Sequence, residues 1–371
     1  MLTNSFLCLL CLACFYGSVQ SANVLLIHGG PGYSHKKSLA PMLSILADRG
    51  HNVTVWDMFF MPNKLGDKRI NEYYSEITTT EQWMLDGMVY TNDTSLAKTM
   101  WETPTTGSIV LCVAWYIMTK TCKIVMDQKF SDFQHIANEK WDLILIDPLF
   151  APCGVAVTKL NPAPYLLYSS SLVYPGVTRD QGVPSPIGSA AHGNVIKYNY
   201  AGFWDRYAEV VNWNFGHQLA QQLISWYMNW MLRSHVGHSL DLSSFQTDSP
   251  FLLDTVASRL VYPTAETPTF KHIGNTQCST FSKPNLTDAE YRRFVEDPKS
   301  KGTIIAAFGH MIIELYGNLM DRIFLNLPNF CRTTLEYQIS GHETQMRRFI
   351  GQIRRDCREG GAKVPRNHGQ F

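Results

Sequence analysis

The order of apolar and polar positions after residue 22 predicts a strand, a helix and a second strand. Residues 23–27 form a short apolar run, and a loop rich in glycine and proline follows over 28–35. A helical pattern then ends at Gly50, and residues 53–56 form the next apolar run. The apolar face of that helix consists of Leu39, Met42, Leu43 and Leu46. A strand, a helix and a strand within about 35 residues predict a parallel βαβ unit.

Two later segments, 141–147 and 165–168, are almost continuously apolar. Strands covered by helices on both faces have this composition. The sequence therefore predicts an α/β fold with a Rossmann-like, doubly wound parallel sheet.

An aromatic stretch over 202–234 has the character of a helix, and three interpretations of it stay open. It could be ordinary core, the apolar wall of a ligand pocket, or a surface that faces a membrane. Its aromatic residues are Phe203, Trp204, Tyr207, Trp213, Phe215, Trp226, Tyr227 and Trp230.

Composition shifts predict five segments. Residues 1–22 resemble a signal peptide, with an apolar run over 6–16 and small residues after it. A large domain over 23–275, a linker over 276–301 and the start of a second domain over 302–330 follow. The tail, 331–371, is basic and poor in large apolar side chains, so we expect it to pack weakly and its last dozen or so residues to be disordered.

Charge and cysteine content limit the classes of function. Lys and Arg number 32 against 31 Asp and Glu, and this balance gives no field to attract nucleic acid. The cysteines beyond the signal segment lack metal-ligand spacing, so we expect mostly buried thiols and no metal site. Glycosylation sequons stand at Asn52, Asn92 and Asn285, of which the last two lie in loop-like contexts.

Two titratable residues fall at the carboxyl ends of predicted strands, where open α/β sheets bind ligands. His35 lies in the loop after the first strand, and Asp147 ends the strand that starts at Trp141. A histidine held by a carboxylate through Nδ1 can accept a proton through Nε2. The pair therefore predicts a general-base dyad that activates a hydroxyl group.

Two other sites are suggested by weaker motifs. The segment 28–32 resembles the oxyanion loop of some α/β-hydrolases, but the sequence has no G-x-S-x-G nucleophile elbow. Asp57 ends the second strand where a dinucleotide-binding domain holds the ribose. The glycine loop before it lacks the third glycine, and Pro31 stiffens it.

Six segments, in order, resemble the UDP-glucuronosyltransferases and related UDP-glycosyltransferases of animals, particularly the invertebrate type. The resemblance covers about residues 23–330. Its segments are 32–35, 46–55, 141–147 with 152–154, 202–206 with Asn212, 271–274, and 302–309.

This resemblance implies the GT-B architecture, with an N-terminal acceptor domain and a C-terminal UDP-sugar domain. It assigns His35 as the base, Asp147 as its partner and Gly309 as a residue near the donor phosphates. The implied reaction moves a sugar to a hydroxyl of a small lipophilic acceptor and inverts the configuration at the anomeric carbon. The resemblance favours glucuronic acid as that sugar. UDP-sugar is a co-substrate, and no metal or redox cofactor is implied. The implied compartment is the lumen of the endoplasmic reticulum, where the family is membrane-anchored.

The sequence departs from the family in its second domain. The donor signature, a tryptophan- and glutamine-bearing turn followed by a His-Gly-Gly segment and an Asp-Gln pair, is not found in that order. His310 follows Gly309 where the family has a small hydroxyl residue. We therefore expect a chain truncated in its C-terminal domain, without the anchor and with doubtful activity. The alternative is a non-catalytic acceptor-binding module, or a partner in homo- or hetero-oligomers with full-length relatives. An α/β-hydrolase is a distant third.

Overall fold

A computed structural model describes most of the chain between residues 21 and 274. The described residues are 21–29, 33–58, 64–79, 107–149, 151–170, 175–184, 199, 201–256 and 265–274, together with 289, 292, 293, 296 and 298. Residues 1–20 of the signal segment, Gly309, the basic tail and the sequons at Asn92 and Asn285 lie outside these residues.

Seven parallel strands form one sheet in the order β3-β2-β1-β4-β5-β6-β7. The strands are β1 (Asn23–His28), β2 (Asn52–Asp57), β3 (Ile70–Tyr74), β4 (Leu143–Ile146), β5 (Tyr165–Ser169), β6 (Leu252–Asp254) and β7 (Phe270–His272). The chain builds outward from β1 in one direction and from β4 in the other. The point between β1 and β4, where the strand order reverses, is where such sheets bind ligands.

The described helices cover both faces of this sheet, as the predicted doubly wound fold requires. They are α1 (Tyr33–Asp48), α2 (Gly107–Gln128), α3 (Phe130–Asn138), α4 (Pro152–Leu160), α5 (Pro175–Asp180), α6 (Phe203–Val211), α7 (His217–Val236) and α8 (Leu242–Asp248). A π-helical turn, Asn212–Gly216, joins α6 to α7 without a break. None of the described helices is both long enough and apolar enough to span a membrane.

Alternation along the strands divides the core into two clusters. Leu39 and Leu43 of α1 pack on one face, against Val24, Leu26, Val53 and Val55 of β1 and β2. Leu25 and Ile27 point to the other face, which is covered by α2, α3, α4, α7 and α8. The predicted βαβ unit is confirmed, and Gly50 follows α1 with a φ of 89° that favours glycine.

The strand predicted at 141–147 is shorter in the structure, where β4 covers only Leu143–Ile146 and the two preceding residues make side-chain contacts. The indole Nε1 of Trp141 donates to the carbonyl of Ile136 at 2.8 Å. The carboxylate of Asp142 accepts the backbone N–H of Asn23 at 2.7 Å, at the start of β1. Asp147 consequently lies just beyond the end of β4 rather than within it.

The prediction of buried thiols is wrong for Cys122 of α2 and Cys153 of α4, which form a disulfide. Sequence spacing could not reveal this pair, because 31 positions separate the two cysteines and the fold alone brings them together. Cys112 is a free thiol, and burial raises its pKa. The disulfide ties two of the helices that cover the same face of the sheet.

The chain divides into two compact units. The first comprises residues 1–89 and 104–280 and contains the whole sheet. The second comprises 90–103 and 281–371, and its described residues are the five isolated positions between 289 and 298.

Candidate active site

His35 and Asp147 meet at the carboxyl edge of the sheet, at the reversal point between β1 and β4. His35 lies in the first turn of α1, and Asp147 directly follows β4. The imidazole Nδ1 is 2.8 Å from Oδ2 of Asp147. The aspartate side chain is 2% exposed and the histidine side chain 18%, so the ring can be reached from solvent while its carboxylate partner cannot.

The second oxygen of Asp147 is also fixed. Its Oδ1 accepts the backbone N–H of Leu149 at 2.9 Å, which holds the carboxylate in the turn after β4. With one oxygen bound to this amide, the other is left to accept the Nδ1–H of His35. That arrangement selects the tautomer whose Nε2 carries a lone pair, the form that a general base needs.

Ser170, which follows β5, is a third member of this cluster that the sequence analysis missed. Its Oγ lies 2.5 Å from Nδ1 of His35 and 3.3 Å from Oδ2 of Asp147. The hydroxyl can accept from the imidazole while it donates to the carboxylate. Its position two residues after the predicted strand 165–168 was the available signal.

Tyr168 of β5 shows how dry the region behind this cluster is. Its side chain is fully buried, and its hydroxyl has no hydrogen-bond partner among the described residues. Burial, then the negative charges of Asp147 and Asp57, hold its pKa well above the usual value. Charges near this edge are therefore weakly screened by water.

A buried ionic cluster holds the same turn of α1 through the residue after His35. Lys36, the residue after His35, is fully buried and places Nζ 2.6 Å from Oδ2 of Asp57 and 3.5 Å from Oε2 of Glu72. Nδ1 of His28 lies 3.1 Å from the other oxygen of Asp57. Burial raises the pKa of Asp57, but the hydrogen bonds and charges of His28 and Lys36 outweigh it, so the pKa is lowered.

These contacts bear on the two weaker motifs. Asp57 ends β2, as a dinucleotide site would require, but Lys36 and His28 engage both its oxygens. His28, which opens the segment that resembles a hydrolase oxyanion loop, is itself buried against Asp57.

A second histidine–carboxylate pair lies farther along the same edge, at the ends of β6 and β7. Nδ1 of His272 is 2.9 Å from Oδ2 of Asp254, although the two atoms are not in hydrogen-bonding orientation. Both side chains are buried, at 6% and 2% exposure. Burial raises the pKa of Asp254. Because His272 is less accessible than His35 and sits away from the reversal point, the first pair is the better candidate.

Comparison with known proteins decides the family. The family described as "UDP-glucoronosyl and UDP-glucosyl transferase" matches residues 23–335. The chain belongs to this family. The resemblance seen in the six sequence segments is thereby confirmed. This family membership replaces the two weaker interpretations, an α/β-hydrolase and a dinucleotide-binding domain.

Individual relatives are distant and longer than this chain. It is 22% identical over 334 residues to human (Homo sapiens) UDP-glucuronosyltransferase 2B28, which covers 83% of this chain and 58% of the relative. The glycotransferase of kitacinnamycin has a TM-score of 0.45 at 12% identity, covering 83% of this chain and 64% of that one. The calicheamicin glycosyltransferase CalG4 has a TM-score of 0.37 at 11% identity, covering 69% and 53%. The chain thus spans less than two thirds of the length of these relatives.

Proposed function

We propose that this chain supplies the acceptor-binding, base-bearing half of a UDP-glycosyltransferase. The observation that carries the proposal is the contact between His35 and Asp147 at the reversal point of the sheet, with the imidazole open to solvent and the carboxylate buried. Membership of the UDP-glycosyltransferase family supports the reaction class.

In the proposed reaction, Nε2 of His35 accepts the proton of an acceptor hydroxyl. The acceptor oxygen attacks the anomeric carbon of a UDP-sugar, a new carbon–oxygen bond forms, and the bond to UDP breaks with its electron pair leaving on the phosphate. Asp147 stabilises the imidazolium that forms and keeps Nδ1 as a donor. Single displacement inverts the anomeric carbon. No metal ion or redox cofactor takes part in these steps.

The finer assignments rest on resemblance. Glucuronic acid as the sugar is supported by the similarity to a human UDP-glucuronosyltransferase. A small lipophilic molecule with a hydroxyl group as acceptor, and Gly309 near the donor phosphates, are what the family resemblance implies. The disulfide between Cys122 and Cys153 supports the lumen of the secretory pathway, because structural disulfides persist in oxidising compartments.

The test is sugar transfer by the purified full chain, with UDP-glucuronic acid or UDP-glucose and a panel of lipophilic phenols. We expect His35→Ala to lower kcat/KM by about 10²- to 10⁴-fold, the usual contribution of a general base. His235→Ala is the matched control, since it removes a partly exposed histidine paired with Asp127 at 3.0 Å on the helical surface. Where wild type transfers sugar, equal activity of the His35→Ala variant would refute the assignment of the base.

A second candidate function is a non-catalytic module that binds acceptors or pairs with full-length relatives. The sheet and its His35–Asp147 pair lie within one compact unit, which supports this candidate. Titration calorimetry with UDP and with a lipophilic phenol separates the two. Phenol binding without UDP binding supports the module, whereas micromolar affinity for UDP supports the transferase.

A further inference from the structure

The sequon at Asn52 lies at an exposed edge of the sheet, although it begins a strand. Asn52 is the first residue of β2, and its side chain is exposed to solvent. Thr54, the hydroxyl residue that completes the sequon, is the third residue of the same strand. Of the three sequons, this is the one that the described residues include. Its place in a strand therefore does not bury the asparagine.

A row of three asparagines crosses the amino edge of the sheet, where β1, β2 and β3 begin. Nδ2 of Asn71 donates to Oδ1 of Asn52 at 2.8 Å, and Nδ2 of Asn52 donates to Oδ1 of Asn23 at 3.0 Å. Nδ2 of Asn23 donates to the carbonyl of Lys140 at 3.3 Å. All three hydrogen bonds are exposed to solvent, and the side chain of Asp142 beside them is exposed too. The row holds the amide of Asn52 at a surface with room for a bulky group.

The amide of Asn52 can take a substituent without losing this arrangement. A primary amide nitrogen carries two hydrogens, and the bond to Asn23 uses one of them. The other hydrogen can be replaced by a sugar while Oδ1 continues to accept from Asn71. Asn71 is equally exposed, but Tyr73 follows two residues later where a sequon needs a hydroxyl residue, so Asn71 is an internal control.

The order of synthesis leaves this sequon accessible at the right time. Thr54 is half-buried in the folded domain, so an enzyme that reads the sequon has to act before β2 is covered. Trp56 of β2 packs on Phe133 of α3, with ring centroids 6.2 Å apart, and α3 is made later. The same is true of β4, which begins at Leu143 beside β1. Because a domain folds as a unit during synthesis, Asn52 emerges while β2 is still uncovered.

We propose that Asn52 carries an N-linked oligosaccharide, a proposal that rests on the lumenal compartment proposed above. In the reaction, Nδ2 of Asn52 forms a bond to the anomeric carbon of an oligosaccharide carried on a polyprenyl diphosphate. The bond from that carbon to the diphosphate oxygen breaks, and its electron pair leaves with the lipid diphosphate. The amide proton passes to a base of the transferring enzyme.

The proposed glycan and the candidate active site lie at opposite edges of the sheet. Asn52 opens β2 at the amino edge, whereas His35 and Asp147 meet at the carboxyl edge. The six residues of β2 span about 17 Å between these edges. The glycan therefore assigns the amino edge to solvent and leaves the carboxyl edge open to ligands.

The experiment maps glycosylated asparagines in the full chain expressed in cultured animal cells. Peptide N-glycosidase in heavy-oxygen water converts each glycosylated asparagine to labelled aspartate, which mass spectrometry of peptides locates. We expect label at Asn52 and none at Asn71. Thr54→Val should abolish the label at Asn52, because it removes the hydroxyl while keeping a β-branched side chain in the strand. Thr54→Ser, the matched control, keeps the hydroxyl and should retain the label.

Two results would overturn the proposal. Label at Asn92 or Asn285 without label at Asn52 would show that the chain met the transferring enzyme and that Asn52 was passed over. Loss of label from all three sequons, in a chain placed behind the cleaved leader of a secreted protein, would show that Asn52 is not an acceptor.

The same measurement separates this proposal from those on which the function rests. Label at Asn52 behind the added leader, but not behind the chain's own N-terminal segment, would support the acceptor site and contradict the lumenal compartment. Because the label does not depend on sugar transfer by this chain, failure of the base assignment would leave the result unchanged.

Discussion

At the scale of single residues, the choice of ring nitrogen on His35 decides what the imidazole can do. Nδ1 faces both Oδ2 of Asp147 and Oγ of Ser170, at 2.8 and 2.5 Å. Both are oxygen atoms that can accept a hydrogen bond, so the proton of the neutral ring is best placed on Nδ1. Nε2 is then the nitrogen that can accept a proton from a substrate.

This arrangement predicts a tautomer that nuclear magnetic resonance can measure. In protein with ¹⁵N-labelled histidine, neutral His35 of wild type should show a protonated Nδ1 and an unprotonated Nε2. Asp147→Asn can present an amide N–H to Nδ1 instead, and we expect it to shift the population toward the Nε2–H form, as for the corresponding change in a catalytic triad.

Ser170→Ala is the control for this measurement, because it removes the hydroxyl and leaves the carboxylate in place. It should retain the Nδ1–H form. Loss of signals in His35→Gln assigns the resonances. An Nε2–H tautomer in wild type would contradict the proposed role of the ring as base.

His35, Asp147 and Ser170 show how far sequence alone reaches at this scale. Each directly follows or closely follows a strand, so the parallel sheet places all three at one edge. Their contact could not be predicted, because it also depends on rotamers and on the turn that binds Leu149 to Asp147. Ser170 was missed because a lone serine after a strand carries no motif.

At the scale of elements, Lys36 joins the start of α1 to the strands beside it. Its ammonium group is buried between Asp57 at the end of β2 and Glu72 of β3. Tyr74 donates to the same oxygen of Glu72 at 2.5 Å, and its ring lies 5.2 Å from Nζ. Because His35 is the preceding residue, this cluster fixes the turn that carries the base.

Removing the lysine should therefore destabilise the domain. Lys36→Met leaves two carboxylates buried without their cation, and we expect a loss of about 3–5 kcal/mol in the free energy of unfolding. Lys37→Met, at the exposed neighbouring position, should change it by less than about 0.5 kcal/mol. Denaturant unfolding followed by circular dichroism measures both.

The pH dependence of this difference follows from Asp57. Its pKa in the folded protein is lowered from the ordinary 3.8, so the ionised carboxylate stabilises the native state above that value. As the pH falls below 3.8 and the carboxyl becomes protonated, this contribution is lost. The gap between wild type and Lys36→Met should then narrow, and a gap that widened on acidification would rule out the ionic cluster as its cause.

Strands were predictable from sequence where they are buried on both faces. The four short apolar runs at 23–27, 53–56, 141–147 and 165–168 correspond to β1, β2, β4 and β5. β3 contains Asn71 and Glu72, and β6 and β7 are three residues each, so none has a periodic apolar pattern. The aromatic character of 202–234 predicted helix correctly but did not show which rings face outward, because exposure depends on what the fold packs beside them.

At the scale of the whole molecule, family membership was the property easiest to predict from the sequence, and the extent of the second domain was the hardest. Six short segments in the family's order were sufficient, since their order carries information that none has alone. The predicted domain limits at 275, 301 and 330 stay predictions. The contact-based division falls after residue 280 and assigns 90–103 to the second unit.

The disulfide also acts on the whole molecule, because it restricts the unfolded chain. It joins positions 31 residues apart, and both cysteines are buried, one on each of two helices that cover the same face of the sheet. Closing a loop of this size in the unfolded state is worth about 3–4 kcal/mol by chain entropy. The packing contacts of the two buried sulfur atoms should add to the free energy of unfolding that is lost when both cysteines are replaced.

The last prediction compares cysteine variants of the purified full chain. Cys122→Ser/Cys153→Ser should lower the free energy of unfolding by about 3–4 kcal/mol, measured by denaturant titration under non-reducing conditions. Cys112→Ser is the matched control on the same helix, and it should stay close to wild type because Cys112 is half-buried and unbridged. With a reductant present, wild type should fall toward the double variant and the double variant should not change. If wild type were equally stable with and without reductant, the disulfide would contribute nothing to folding, and its support for an oxidising compartment would be withdrawn.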